Sequence, residues 1–166
     1  RILPYDRIYK NFINQKYIPK GKDEYYLRNE QSVFPEEKWR HLRADEIESL
    51  VNNKNVATNW DDVLVTDEFD PKMVKRNSFF GLVRIGRIKR EVLEYHDLRV
   101  PVGITDSSIV SCDIGDDVAI HNVHYLANYI ISDRCILFNV NEISTTDHSK
   151  FGNGILKEGE DEDVRV

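Results

Sequence analysis

The chain has 166 residues, and its 23 Lys and Arg against 29 Asp and Glu give a net charge of −6. This length suits one domain with elaborations, and the acidic total argues against a protein that binds nucleic acid through a basic surface. The chain has two cysteines, Cys112 and Cys135, which are too few for a disulfide framework, and their separation matches no pattern of zinc ligands. No apolar run reaches the ~18 residues of a membrane span. We expect a cytoplasmic protein with no nucleic-acid or membrane partner, and a trimmed or partial chain, since it begins with Arg.

Residues 1–40 are predicted to form an aromatic-rich arm. Aromatic side chains alternate there with Lys and Arg, and Pro4, Pro19 and Pro35 interrupt them. Such interleaving can serve single-stranded nucleic acid, but the acidic total favours an arm that packs its tyrosines on the body or on a neighbouring subunit. The aromatic residues are Tyr5, Tyr9, Phe12, Tyr17, Tyr25, Tyr26 and Phe34.

Residues 41–78 are predicted to form a small mixed lead-in. "ADEIESLVNN" (44–53) has apolar residues at helical spacing and acids in its first turn, which predicts a helix. "WDDVLVT" (60–66) is typical of a strand, and "DPKMVKR" (70–76) of one helical turn that starts at its proline. The alternating segment "FFGLVRIG" (79–86) predicts a further strand.

After residue 98, short β-rich pieces follow one another every five or six residues, which is too close for hairpins. "IGDDVA" (114–119) and "ISDRCI" (131–136) repeat one pattern: an apolar residue, a small one, two polar ones and a second apolar one. A left-handed β-helix repeats such a unit on each of three sides. Its corners adopt left-handed backbone conformations that suit Gly, Asp and Asn. Ile131 should then stack on Ile114 at the ~4.8 Å inter-strand spacing.

The predicted fold is mainly β: a short left-handed parallel β-helix of hexapeptide repeats over residues 79–155, with an N-terminal mixed α/irregular cap. An ordinary β-sandwich with coincidental spacing is the alternative. The run "EGEDEDVRV" makes residues 156–166 an acidic tail in solvent.

"VAIHNVHYLANYIIS" (118–132) and "KFGNGI" (150–155) are the most specific words of the segment 96–155. This segment resembles a bacterial domain family of unknown function in the hexapeptide-repeat, left-handed β-helix superfamily of sugar and acyl transferases. The resemblance implies a trimer with active sites between subunits and a sugar-nucleotide or acyl-donor ligand. It also implies that further coils follow this chain in a longer protein.

His121 and His124 are the candidate catalytic residues. The ten-residue gap from Ile120 to Ile130 predicts a projecting loop there, and superfamily relatives place a histidine base on such loops. Imidazole titrates near neutral pH, so either histidine suits a general base. A hydrogen-bonded turn histidine is the plainer alternative.

A metal site is a second possibility, with His96, His121 and His148 as ligands. Three protein ligands and a water complete a tetrahedral zinc site, and some superfamily relatives use three histidines. His121 and His124 are three residues apart, so on an extended strand they point to opposite faces.

Five residues are candidates for substrate binding. Asn128 and Tyr129 suit hydrogen bonding and stacking with a sugar or base, although an inward Asn ladder is equally consistent with the sequence. The remaining candidates are Asn122, beside His121, and Lys150 and Asn153 in the polar stretch "STTDHSKFGNG", where turn formation is the alternative.

No cofactor is identified by the sequence. The leading hypothesis is a transferase domain, acyl or nucleotidyl, that acts on an activated sugar or acyl donor. The alternatives are a non-catalytic scaffold and a metal-dependent, hydratase-like site.

Overall fold

A computed structural model describes residues 1–10, 12–32 and 34–145, and this part of the chain is mainly β. Its α-helices are α1 (Glu24–Gln31) and α2 (Ala44–Asn52). Short 3₁₀ turns cover Tyr5–Ile8, Gln15–Tyr17, Glu36–Lys38, Trp60–Asp62 and Pro71–Met73. None of the helices in the described ranges has the length and apolar character needed to cross a membrane.

The strands are short, apart from two. In chain order they are β1 (Arg40–His41), β2 (Val56–Ala57), β3 (Val63–Val65), β4 (Val74–Lys75), β5 (Ser78–Phe80), β6 (Val83–Ile85), β7 (Val92–Tyr95), β8 (Leu98–Pro101), β9 (Gly103–Thr105), β10 (Ser108–Val110), β11 (Asp113–Ile114), β12 (Ala119–Ala127), β13 (Ile130–Ile131) and β14 (Ile136–Ile143).

Parallel pairing arranges most of these strands in three rows. Row A contains β2, β5, β10 and the ends of β12 and β14; row B contains β3, β6, β11 and β13; row C contains β4, β9 and the starts of β12 and β14. From β9 onward the chain visits rows C, A and B in turn. Strand β1 joins the edge of row B in antiparallel orientation, and β7 and β8 form a separate hairpin.

The predicted stacking of the two repeats is confirmed. Ile114 pairs with Ile131 in parallel register, and the backbone N–H of Ala119 donates to the carbonyl of Cys135 at 2.9 Å. The apolar residues of the rows form one core, and the largest fully buried side chains are Phe79, Leu50, Ile85, Ile104, Ile109, Ile114, Ile120 and Leu126.

The bends between rows use left-handed backbone conformations, as expected. Asp106, Asn122 and Asn139 have φ of 52°, 55° and 54° at successive bends between rows C and A. Ser111 and Asn128 also have left-handed backbone conformations, with φ of 49° and 62°, at the bends between rows A and B. Asn and Asp tolerate this conformation better than most residues with a side chain, because their short polar groups bond locally.

The structure explains why glycine precedes Asp116 in the first repeat and why glycine holds the equivalent position, Gly86, one pass earlier. The Oδ1 of Asp133 accepts a hydrogen bond from the backbone N–H of Asp116 at 2.7 Å. In the preceding pass, the Oδ1 of Asp116 accepts one from the backbone N–H of Arg87, also at 2.7 Å. Each carboxylate therefore lies over the preceding pass of the chain. A Cβ on Gly86 would lie 2.6 Å from Asp116 Oδ1, and one on Gly115 would overlap Asp133 Oδ1.

The prediction of a projecting loop between Ile120 and Ile130 is wrong. Strand β12 covers this stretch as far as Ala127, with a bend at Asn122, and the fully buried Leu126 points inward where the sequence pattern had shown no inward residue. Ile104 pairs with Ile120, 16 positions later, whereas Ile109 pairs with Leu126, 17 positions later. The strand therefore absorbs one extra residue instead of forming a loop.

The element that does project is the β7–β8 hairpin, which the sequence analysis missed. His96, with φ of 53°, lies in its two-residue turn, and Tyr95 and Leu98 on either side are exposed. A turn residue with positive φ is typical of such hairpins. Its signal was the short run "YHDL" between two β-rich pieces.

The lead-in elements agree with the sequence in kind and differ at their ends. The predicted helix is α2, and the turn at Pro71 is present as a 3₁₀ turn. The predicted strand 60–66 begins as a 3₁₀ turn, because the Asn59 side chain accepts the N–H of Asp61 at 3.0 Å. The predicted strand 79–86 is divided into β5 and β6 by Gly81, whose φ is 68°.

Replacing Gly115 with Ala should lower the free energy of unfolding by about 1–3 kcal/mol, the usual cost of overpacking. The added Cβ would lie 2.8 Å from the Asp133 backbone N and would displace its carboxylate. Ser132 holds the equivalent position one pass later and is exposed, so Ser132→Ala is the matched control and should change stability little. Urea unfolding of both variants tests this; equal losses would contradict it.

Candidate functional site

The arm is held against row B by a buried cluster of charged side chains. Arg84 and Asp113 are neighbours on β6 and β11, and the Arg84 Nε and Nη2 donate to Asp113 Oδ1 and Oδ2 at 2.7 and 2.6 Å. From α1, Arg28 donates to the same Oδ1 through Nε and Nη2 at 2.9 and 2.6 Å. The Arg84 Nη1 donates to Asn29 at 2.5 Å, and its guanidinium lies 5.4 Å from the Trp39 ring centroid.

This cluster has more positive than negative charge. Arg84 and Asp113 are 3% and 4% exposed and form a complete bidentate pair, to which Arg28 adds a second cation. The Arg28 Nη1 is buried and has no hydrogen-bond partner among the described residues. A buried charged donor without a partner is costly, so this atom is a natural contact for an acceptor.

A cleft with a volume of about 70 Å³ lies between the arm and the bend that joins rows A and B. We call it the arm cleft. The residues that line it are Tyr9, Phe12, Ile13, Glu24, Tyr25, Arg28, Gln31, Ser111, Asn128, Tyr129 and Ile130. It therefore brings the predicted binders Asn128 and Tyr129 together with Arg28, the cation that holds the arm.

Local structure fixes the groups of the arm cleft. Asn128 stands at the bend, where its backbone N–H donates to Val110 at 2.9 Å. Glu24, in the first turn of α1, accepts the backbone N–H of Phe12 at 3.1 Å. Burial, and then the nearby Glu24 carboxylate, raise the pKa of Tyr25, so this phenol stays protonated at neutral pH. The lining thus combines aromatic rings, amides, one carboxylate and one guanidinium.

The two candidate catalytic histidines differ in their surroundings, and neither lines the arm cleft. His121 is 9% exposed; its Nε2 lies 2.6 Å from the Pro101 carbonyl and its Nδ1 lies 2.7 Å from Thr105 Oγ1. A carbonyl can only accept, so Nε2 carries a proton and donates it to Pro101. His124 is exposed.

The remaining predicted residues do not gather at one place. Asn122 is exposed at a bend and donates to Asn139 at 2.9 Å, and His96 lies in the hairpin turn with its ring 4.3 Å from that of Tyr95. His148, Lys150 and Asn153 lie outside the described residues. Among residues 1–10, 12–32 and 34–145, no three His, Cys, Asp or Glu side chains are grouped to hold a metal ion. The three-histidine site stays a prediction.

Cys112 is not a candidate nucleophile. Burial raises the pKa of the Cys112 thiol to about 11, so it remains protonated at neutral pH. Its Sγ lies 3.2 Å from the Val110 carbonyl. Cys112 is therefore a core residue.

Sequence analysis missed the contribution of the arm to the site. Arg28, Glu24 and Tyr25 are on α1, a helix that the sequence analysis did not predict. Two signals were present: the density of tyrosines in the arm, and an arginine, Arg84, inside the otherwise apolar segment "LVRIG". A charged residue in such a strand needs a buried partner, and the sequence does not say which one.

Comparison with known proteins gives bacterial relatives without an assigned activity. The sequence profile of a family described as "Domain of unknown function (DUF4954)" matches residues 39–163, about three quarters of the chain. An uncharacterized protein of Treponema pallidum (strain Nichols) is 49% identical over 156 residues, which cover 94% of this chain and 22% of that protein. The chain thus spans about a fifth of the length of this relative. No solved structure shows a significant match.

Replacing Asp113 with Asn should destabilise the protein by about 3–5 kcal/mol, because two buried guanidinium groups then lack a carboxylate. Arg28→Gln should cost less than about 2 kcal/mol, because the Arg84–Asp113 pair stays complete. Urea unfolding of both variants measures the difference. If Arg28→Gln were as costly as Asp113→Asn, Arg28 would be an essential part of the charge balance rather than an addition to it.

Proposed function

The chain belongs to the DUF4954 family of domains of unknown function, and from this premise we propose that its strand rows form a left-handed β-helix and that its arm cleft binds the donor of a transferase reaction. The donor class is a sugar nucleotide or an acyl-coenzyme A. The reaction would be that of a longer protein like the Treponema pallidum relative, of which this chain spans about a fifth.

Three features support the β-helix. The chain visits three parallel rows in turn, the passes between β9 and β14 pair at 16 or 17 positions, and the bends use left-handed backbone conformations. Three short sides of five or six residues give a coil of this length. Membership of the hexapeptide-repeat superfamily is part of the same proposal.

The observation that carries donor binding is the meeting of Asn128, Tyr129 and Arg28 in one cleft. Aromatic rings can stack on a nucleobase, an amide can both donate to and accept from a sugar or base, and a guanidinium matches phosphate geometry. Sugar nucleotides and coenzyme A combine a base, a ribose and phosphates, so both offer partners to all three groups.

We assign the general base to His124. It is exposed, whereas His121 is nearly buried, with Nδ1 2.7 Å from Thr105 Oγ1 and Nε2 2.6 Å from the Pro101 carbonyl. Because His124 lies away from the arm cleft lining, the base would act on a donor held by another subunit. This agrees with the trimer that the superfamily resemblance implies, and the mass in solution by multi-angle light scattering tests it.

A non-catalytic scaffold is the second candidate function. It is favoured by His121, whose two ring nitrogens are both engaged by protein atoms, and by the closely packed charges under the arm. A scaffold would need the arm cleft only for packing, so donor binding separates the two candidates.

A donor should bind the wild-type chain in calorimetric titrations with UDP-N-acetylglucosamine and with acetyl-coenzyme A. Asn128→Asp and Tyr129→Ala should each weaken binding about tenfold, the equivalent of ~1.4 kcal/mol. Asn139→Asp is the matched control: Asn139 has the same left-handed backbone and is exposed, but does not line the cleft. A folded wild-type chain that bound neither donor would overturn donor binding in favour of the scaffold.

A further inference from the structure

We infer that the arm cleft recognises the pyrophosphate of its ligand, and that Arg28 is the residue that binds it. This inference rests on the proposed donor site and specifies which part of the donor provides its affinity. It is carried by the geometry of Arg28 and by the charge balance around it, and the one carboxylate of the cleft lining, Glu24, supplies a test of it.

The geometry leaves one edge of Arg28 unused. Its Nε and Nη2, which share one edge of the planar guanidinium, both donate to Asp113. Nη1 belongs to the opposite side of the group, so its two hydrogens point away from Asp113. Arg28 lines the arm cleft, and its Nη1 is a buried charged donor without a partner.

The net positive charge of the Arg28, Arg84 and Asp113 cluster also favours binding of an anion. Arg84 is fully engaged, with Nε and Nη2 on Asp113 and Nη1 on Asn29. Asp113 therefore neutralises one of the two guanidinium groups and the other keeps its positive charge. A phosphate oxygen supplies both the missing charge and the missing acceptor, and an Arg–phosphate hydrogen bond is among the stronger kinds.

The arm can admit such a ligand without breaking the body. Nη1 is closed to bulk water in the docked arm, so contact requires α1 to shift. Arg84 and Asp113 keep both of their mutual hydrogen bonds when Arg28 moves, so no buried charge of rows A to C is left unpaired. The ligand would then hold the arm in place through a bond that the arm alone does not make.

Glu24 allows the charge of the preferred ligand to be tested from within the cleft. It is the one carboxylate of the cleft lining and lies one helical turn before Arg28 on α1. Like charges repel, so this carboxylate opposes a pyrophosphate and favours a neutral or cationic ligand. Glu24→Gln keeps an oxygen that can accept the Phe12 N–H while removing the charge.

The test is a calorimetric titration of the full 166-residue chain with UDP, uridine and inorganic pyrophosphate. The variants are Arg28→Gln, Arg28→Lys and Glu24→Gln. Arg99→Gln is the matched control, because Arg99 is exposed on the hairpin, outside the cleft lining, and its loss changes the net charge equally. Arg28→Lys keeps a cation for Asp113 but lacks the second edge, so it remains informative if Arg28→Gln releases the arm.

We expect UDP to bind about tenfold or more tightly than uridine, which corresponds to one charge-assisted contact. Both Arg28 variants should abolish this preference, Arg99→Gln should retain it, and Glu24→Gln should strengthen UDP and pyrophosphate binding. Equal binding of UDP and uridine, or equal effects of Arg28→Lys and Arg99→Gln, would overturn the inference. Donor binding that ignores Arg28 overturns the pyrophosphate contact alone, whereas failure of every donor and of UDP overturns the proposed function too.

Discussion

Parallel pairing between successive passes of the chain runs along all three strand rows, joining residues 16 or 17 positions apart between β9 and β14 and 20 to 30 positions apart in the earlier passes. Every other feature of the fold depends on this register. It places Ile85, Ile114 and Ile131 in one ladder, and it brings each bend over the preceding one, so the same unusual backbone conformation recurs there. An error of one residue would exchange inward and outward side chains along the affected strand.

The one-residue difference between successive passes has a consequence for the candidate histidines. Between Ile120 and Leu126 the chain carries an additional residue relative to the stretch from Ile104 to Ile109. His121 precedes the bend and stacks on Thr105 in register, where it is nearly buried. His124 follows the bend and is exposed. Two histidines in one short motif thus have opposite surroundings because the register changes between them.

The elements that could be predicted are those whose signal is local or periodic. The repeated apolar–small–Asp pattern gave the pairing of Ile114 with Ile131, and helical spacing gave α2. The β7–β8 hairpin was not predicted because its strands have four residues each and lie in the same β-rich part of the sequence as the strands of the rows. For the candidate site, Asn128 and Tyr129 were identified because they lie in a motif. Arg28 was not, because its partner is 85 positions away and nothing in a single sequence links the two.

The same difference in sequence separation bears on how the arm behaves. Parallel contacts within the rows close loops of 16 to 30 positions, whereas the Arg28–Asp113 contact closes a longer one of 85 positions. Loop-closure entropy increases with length, and the rows are held by an apolar core while α1 has no fully buried residue. The rows are therefore the stable part of the molecule and the arm is the part with the lowest cost of local opening. Since the arm supplies one wall of the cleft, access to that cleft is governed by the least stable contact of the fold. A ligand that completes the hydrogen bonding of Arg28 acts on this contact directly.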